Sequence, residues 1–396
     1  MPLEGCYRHL RVLDLSENIA GPLATMIFAD LGADVIKLER AGTGDPTRLL
    51  PPRRGDASTV FAAVNRNKRS VALDLSTPAG RGAALRIASA CDVFVESFRP
   101  GVAEKLGVGF DDVSAVRSNV IYCSISAFGR GELGRDRPGY DALVQAFTGI
   151  MSLTGTPESR PARTAPSVVD VSTGMWTAMS IMAVMAGHST ASDPVRLDTA
   201  LIDSALFMMG HQIVGLLGAG YHPQRLGSAA PSTVPYREFA TTDGSIMLAA
   251  ATDGLFEKLC TAIGADDLRS DERFRTVERR VASREALDVA LEDIFTTRPS
   301  QHWLTALSAA GVPVSPVHSL EAAINDPLTQ ERRLITTAAG TDAVPQLRLP
   351  LDQDRELPLR PPPALGQHTE EVLREVGFTA DEARALAGER IPQAAR

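Results

Sequence analysis

Residues 10–40 read LRVLDLSENIAGPLATMIFADLGADVIKLER, and this stretch decides the fold. LRVLDLS is a short apolar run of the kind that forms a buried strand. Gly21-Pro22 then opens a helix: Leu23, Met26, Ile27 and Leu31 recur at helical spacing, and Gly32 stops it. DVIKLE follows as a second strand. A strand–helix–strand unit this short brings its two strands side by side in parallel.

The alternation continues outward. SVALDL (70–75), TPAGRGAALRIASA (77–90) and CDVFVES (91–97) read as strand, helix and strand, with Pro78 near the start of the helix. NVIYCSIS (119–126) is another buried strand. The pattern predicts an α/β protein whose parallel sheet is covered on both faces. Residues 1–198 thus form a large domain, and TALIDSALFMMGHQIVGLL predicts a linker helix over 199–219. Glycines and Pro223 then break the chain. A hairpin turning at Asp243-Gly244 and two helices predict a small α+β domain over 220–320. The rest, 321–396, holds a proline-rich extended linker, Pro345 to Pro363, and a helical C-terminal stretch.

The 396 residues carry a net charge of −8, which argues against nucleic-acid binding, since that needs clustered Lys and Arg. Cys6, Cys91, Cys123 and Cys260 are scattered and lack the spacing of a metal site. They suit a reducing cytoplasm, as does an N-terminus without the apolar run of a secretion signal. In the uncharged run from Val171, the dense apolar part, Met175 to Ala186, falls short of the ~20 residues of a membrane span. It reads as a buried core helix, and no membrane association is expected.

Gly129, Gly131 and Gly134 in GRGELG have the spacing of a dinucleotide fingerprint, but Pro138 follows and no helix opens there. No phosphate loop and no GxSxG elbow occurs. What remains is Asp170, in RTAPSVVDVSTGMWTAM, just before the long uncharged run. A carboxylate there is either a helix N-cap or a nucleophile kept ionised by the helix dipole at the edge of an apolar core. Pattern alone leaves both readings open.

RVLDLSENIAGPLATMIFADLGADVIKLERAGTGDPTR resembles the N-terminal signature of the class III CoA-transferases, the formyl-CoA transferase family. That family also holds carnitine CoA-transferases and α-methylacyl-CoA racemases. The likeness continues in order through NRNKRSVALDLSTPAGR, VFVESFRPGVAEKLGVGFDD, GYDALVQAFTGIMSLTG and PSVVDVSTGMWTA. It resumes in PYREFATTDGSIMLAAATDGLFEKLC, GVPVSPVHSLEAAINDP and PPALGQHTEEVLREVGF. The resemblance implies a Rossmann-like large domain built from both ends of the chain and an inserted small α+β domain. It also implies a homodimer in which two chains interlock like links.

By position, the resemblance makes Asp170 the nucleophile. It implies that coenzyme A, a substrate and not a resident cofactor, meets Asn18, Ile19 and Ala20, then Arg40, and Leu73, Asp74, Leu75 and Ser76. Ser97, Phe98, Arg99, Lys105, Ser126, Ala127 and Phe128 complete the set. The implied reaction moves CoA from an acyl-CoA to a carboxylic acid through a mixed anhydride and an aspartyl-CoA thioester. An α-methylacyl-CoA racemase and a non-catalytic CoA-binding protein are the alternatives. The family's racemases carry a histidine before the aspartate of GYDALVQAF, where this chain has Tyr140 before Asp141. Racemisation needs two groups that exchange protons near neutral pH, and a tyrosine with an ordinary pKa of ~10 serves poorly. Some members close the site with a glycine-rich loop, and the matching region here, Thr252-Asp253-Gly254, is short.

Overall fold

The computed structural model describes residues 5–187, 193–336, 344–351 and 359–388. Six strands form the central sheet: β1 (Arg11–Leu15), β2 (Asp34–Arg40), β3 (Arg69–Leu73), β4 (Val93–Glu96), β5 (Ile121–Ser126) and β6 (Val195–Ala200). Every neighbouring pair is parallel, in the order β3-β2-β1-β4-β5-β6. This is a doubly wound sheet, whose direction of winding reverses between β1 and β4. Ligands of such sheets lie beyond the carboxyl ends of the strands at that reversal.

The helices that position the site are α1 (Ala20–Asp30), α2 (Pro78–Ser89), α3 (Asp141–Thr148) and α4 (Val168–Gly187). Alternation along β1 sorts its side chains between the two faces. Leu13 and Leu15 join Ile36, Val71, Phe94 and the α2 residues Ala84 and Ile87 in one core. Asp14 faces α1, where it accepts the Thr25 hydroxyl at 2.7 Å. Helix α4 lies against α1 so closely that a Cβ on Gly174 would stand 2.6 Å from the Ala20 carbonyl oxygen.

Three expectations need correction. β6 occupies a stretch for which no strand was expected, at the end of the large domain and the start of the linker helix. Its exposed Arg196 and Asp198 alternate with half-buried Val195, Leu197 and Thr199, as on a strand with one covered face. The linker helix over 199–219 is therefore not one helix. Thr199 and Ala200 pair with β5, and α5 (Leu201–Met208) and α6 (Gly210–Ala219) follow, parted at Met209-Gly210. Nor is α4 a helix buried all round. It has 20 residues, is long and apolar enough to cross a membrane by length and composition alone, and about a third of its most apolar window is buried. Val169, Thr173, Gly174 and Thr177 form its buried side, while Val171, Met175 and Met179 stay exposed.

The C-terminal segment covers the outer edge of β3. Ser70 donates its N–H to His368 Nδ1 (3.1 Å), and its carbonyl accepts the His368 N–H (2.9 Å). Ala72 donates to Thr369 Oγ1 (3.0 Å), and Arg69 pairs with Glu371 and Glu375 at 2.9 and 2.7 Å. An edge strand offers unpaired backbone groups, and this segment satisfies them. Within the expected linker, Gln346–Leu347 pairs with Ile335–Thr336 as a two-residue ladder, and 352–358 lies outside the described residues.

Two compact units divide the chain. One comprises Met1–Thr148, Ala165–Gly210 and Gln330–Arg396, and the other Gly149–Thr164 and His211–Thr329. The second is built on an antiparallel sheet of β7 (Tyr236–Ala240), β8 (Ser245–Ala249) and β9 (Val314–Pro316). Phe239, Ile246, Leu248, Phe256, Leu291 and Trp303 fill its core. Thr252 caps the helix Asp253–Ile263, and the fully buried Arg280 donates to Asp253 at 2.9 Å. Thr252-Asp253-Gly254 is thus the anchored start of a helix.

Candidate functional site

Beyond the carboxyl ends of β1 to β4 lies a cavity of about 410 Å³. Its lining is Leu15, Glu17, Leu38, Glu39, Arg40, Leu73, Asp74, Leu75, Ser76, Phe98 and Leu106. Such a volume falls in the ordinary range for small-molecule sites, ~300–1,000 Å³. Six apolar side chains offer walls for a flat ring, and exposed Arg40 supplies positive charge. The ends of β1, β3 and β4 each turn on a carboxylate. Asp14 accepts the Ser16 N–H (2.9 Å), Asp74 the Ser76 N–H (2.9 Å), and buried Glu96 the Phe98 N–H (2.8 Å). Burial pushes the Glu96 carboxyl up to about 7. Burial, then Asp45, also raises the Glu17 carboxyl above its ordinary value.

Asp170 lies in the first turn of α4, inside the helix and not before it. The expected cap is therefore corrected: Asp141, the first residue of α3, takes that role. Its Oδ2 accepts the N–H groups of Val169 (2.9 Å) and Asp170 (3.2 Å), and Gln145 donates to its Oδ1 at 2.5 Å. Those two N–H groups of the first turn are thus already taken by Asp141. Burial, then the Asp141 charge, push the Asp170 carboxyl up to about 7. Asp170 is thus half-buried and raised in basicity, and not the carboxylate held ionised by the helix end that the sequence leads one to expect.

The residues expected at the site fall into groups. Arg40, Leu73, Asp74, Leu75, Ser76 and Phe98 line the cavity together. Ser97 stands behind it, its Oγ accepting the Glu17 N–H at 2.8 Å. Asn18, Ile19 and Ala20 lead into α1, where Ala20 meets Gly174, one turn along α4 from Asp170. Ala127 and Phe128 pack on Gly139, two residues before Asp141: a Cβ there would lie 2.4 Å from Ala127 Cβ and 2.9 Å from the Phe128 ring. Buried Ser126 accepts the Gly129 N–H at 3.1 Å. Arg99 and Lys105 are exposed, outside the cavity lining, and make no ion pair among the described residues. Tyr140 is 66 % exposed.

Sequence reasoning missed Leu15, Glu17, Leu38, Glu39 and Leu106 in the cavity wall, and the cap made by Asp141. It also missed two lysines beneath the site, Lys37 and Lys68, both essentially unexposed. A signal existed for Lys37, a cation inside the apolar strand DVIKLER. None existed for a cap reaching across 28 residues.

The model of the family described as CoA-transferase family III matches residues 7–369. Succinyl-CoA:glutarate CoA-transferase of Homo sapiens is 34% identical over 380 residues, spanning 95% of this chain and 86% of its own. Succinate–glutarate CoA-transferase of Agrobacterium fabrum is 34% identical over 391 residues, spanning 95% and 96%. The crystal structure of a CaiB/BaiF family protein from Brucella suis superposes with a TM-score of 0.85 at 33% identity, covering 95% of this chain and 99% of that one.

Proposed function

Because this chain belongs to CoA-transferase family III, and so is an enzyme that moves CoA between carboxylic acids, we propose that Asp170 carries the transfer covalently. The Asp170 carboxylate attacks the acyl-CoA thioester, forming a mixed anhydride and releasing CoA thiolate. The thiolate attacks the aspartyl carbonyl and expels the donor carboxylate, leaving an aspartyl-CoA thioester. The acceptor carboxylate attacks that thioester, and the same two steps in reverse deliver a new acyl-CoA and free Asp170. One thioester is broken and one formed, so the reaction runs without an external energy source. Each intermediate hydrolyses in open water, so apolar surroundings favour transfer. The observation that carries this reading is the Asp170 carboxyl, raised to about 7 while Asp141 does the capping.

In this reading the cavity holds the CoA nucleotide, with its rings between the leucines and Phe98 and its phosphates near Arg40, Arg99 and Lys105. The relatives' names favour small dicarboxylic acids, so succinyl-CoA and glutarate are the first pair to test. The sheet-bearing unit serves as a Rossmann-like CoA domain, with the antiparallel unit as the inserted domain. A second copy of the chain, interlocked with the first, covers the exposed stripe of α4. The deciding experiment is incubation with succinyl-CoA and no acceptor. The intact mass should rise by one CoA per chain, hydroxylamine should yield a hydroxamate, and peptide mapping should place it on Asp170. A label on another residue, or turnover with no adduct, would overturn the mechanism.

A further inference from the structure

The Ser16–Asn18 turn joins β1 to α1 and walls the cavity through Glu17. Asn18 takes a left-handed backbone (φ 68°), a conformation that non-glycine residues keep when their surroundings enforce it. Three backbone groups of the turn are held by side chains from other strands and loops, and Asp14 of β1 holds the Ser16 N–H at 2.9 Å. Ser97 Oγ accepts the Glu17 N–H at 2.8 Å. Asp45 Oδ1 accepts the Asn18 N–H at a long 3.5 Å. Lys37 Nζ, reaching up from β2, donates to the Ser16 carbonyl at 2.7 Å and pairs with Asp45 Oδ2 at 3.0 Å. Lys68 secures the next segment, donating to Asp14 Oδ2 (2.9 Å) and to the Pro22 carbonyl (2.8 Å).

Lys37 and Asp45 are each 1 % exposed. A buried ion pair gives little net stability compared with apolar side chains of the same size, so what this one supplies is orientation. Its charges persist at neutral pH. Burial opposes the Lys37 charge, but Asp14, Asp45 and Glu39 outweigh it and hold the ammonium above its ordinary value. We propose that Lys37, acting with Asp45, is a positioning residue of the transferase: it fixes the Ser16–Asn18 turn in the shape that receives CoA, without touching CoA itself. This rests on the reading of the cavity as the CoA site. The pair sits under the loop, where its loss alters the wall while Asp170 and Asp141 keep their contacts.

The test uses the full chain and removes both charges together, because a lone buried charge threatens folding. Lys37→Met/Asp45→Asn should keep a cooperative thermal transition and bind free CoA at least tenfold more weakly by calorimetry. In turnover the KM for succinyl-CoA should rise in step, while that for glutarate stays within twofold, a split that general loosening of the fold does not produce. If the double variant does not fold, Asp45→Asn alone, which leaves the Lys37 ammonium still facing the Asp14 and Glu39 carboxylates, is read in the same assays. It keeps the shape and an acceptor oxygen, and should weaken CoA binding about threefold. Arg40→Ala is measured in parallel. Unchanged CoA affinity in Arg40→Ala overturns the cavity reading. Weakened affinity there, with CoA binding within 1.5-fold of wild type in the folded Lys37 or Asp45 variant, overturns the positioning role alone.

Discussion

At Asp170, burial and the Asp141 carboxylate push in the same direction, and each push has a consequence that can be measured. In the proposed mechanism, attack on a thioester needs the ionised form, so kcat/KM should climb with pH through an apparent pKa near 7. Asp141→Asn keeps an oxygen for the N–H groups of Val169 and Asp170 but removes the neighbouring charge. The acid limb of the profile should then move below 7, and a limb that stays in place would show that the two carboxyls are uncoupled. Asp170→Asn should abolish transfer, by roughly 10⁴-fold or more. Stability responds with the opposite sign. A carboxyl raised in the fold gives stability that is fully present below its ordinary value of 3.8 and is lost as pH rises through about 7. Thermal unfolding should therefore find Asp170→Asn more stable than wild type at pH 8 and level with it near pH 4. The sequence pattern singled out Asp170 but left a cap and a nucleophile both open, and only the resemblance chose between them; the cap comes from another helix.

Among the elements, the first five strands were legible because each is a compact apolar run between turn signals. β6 was not. Its strand pattern, VRLDTA, is short and half polar, and the helical stretch after it drew Thr199 and Ala200 into the wrong element. α4 was legible as a helix but not as one with two unlike sides, since its small buried residues and its exposed methionines read alike in a hydrophobic count. The contact of α4 with α1 turns on Gly174. Alanine in a helix interior usually gains ~1 kcal/mol over glycine, whereas forcing a methyl group into close packing costs ~1–3 kcal/mol. With the Ala20 carbonyl 2.6 Å from the new Cβ, the second effect should win. Gly174→Ala should lower the melting temperature and, by pushing α4 away from Ala20 of α1, weaken transfer. Gly187→Ala, where a Cβ meets nothing within 4 Å, should do neither. Equal behaviour of the two variants would remove the close approach from the account of the site.

Over the whole molecule, exposed apolar residues occur in both units, and one group of them falls on α3, α4 and α5. Val171, Met175 and Met179 recur every fourth residue along one side of α4, each 40 % or more exposed, with Leu143, Phe147 and Phe207 exposed on α3 and α5. Isolated exposed leucines are normal, but a row of three along one helix suits an interaction surface. A bilayer is the rival occupant, since α4 has the length and composition to span one. Against it, the other side of α4 carries Thr173 and Thr177 packed into the protein, and Thr177 bonds Thr199 at 2.9 Å on β6. One side is thus fixed to the sheet, which leaves a strip to cover, not a cylinder to insert. The proposed second copy of the chain would cover that strip, and how two chains meet is a relation that no single sequence encodes locally. Sedimentation without detergent should give twice the 42.2 kDa of one chain. Met175→Asp/Met179→Asp places two charges in the stripe and should shift the mass toward one chain with the Asp170 region still folded. A wild-type protein that sediments as a single chain at micromolar concentration, or floats with lipid vesicles, would rule the dimer out.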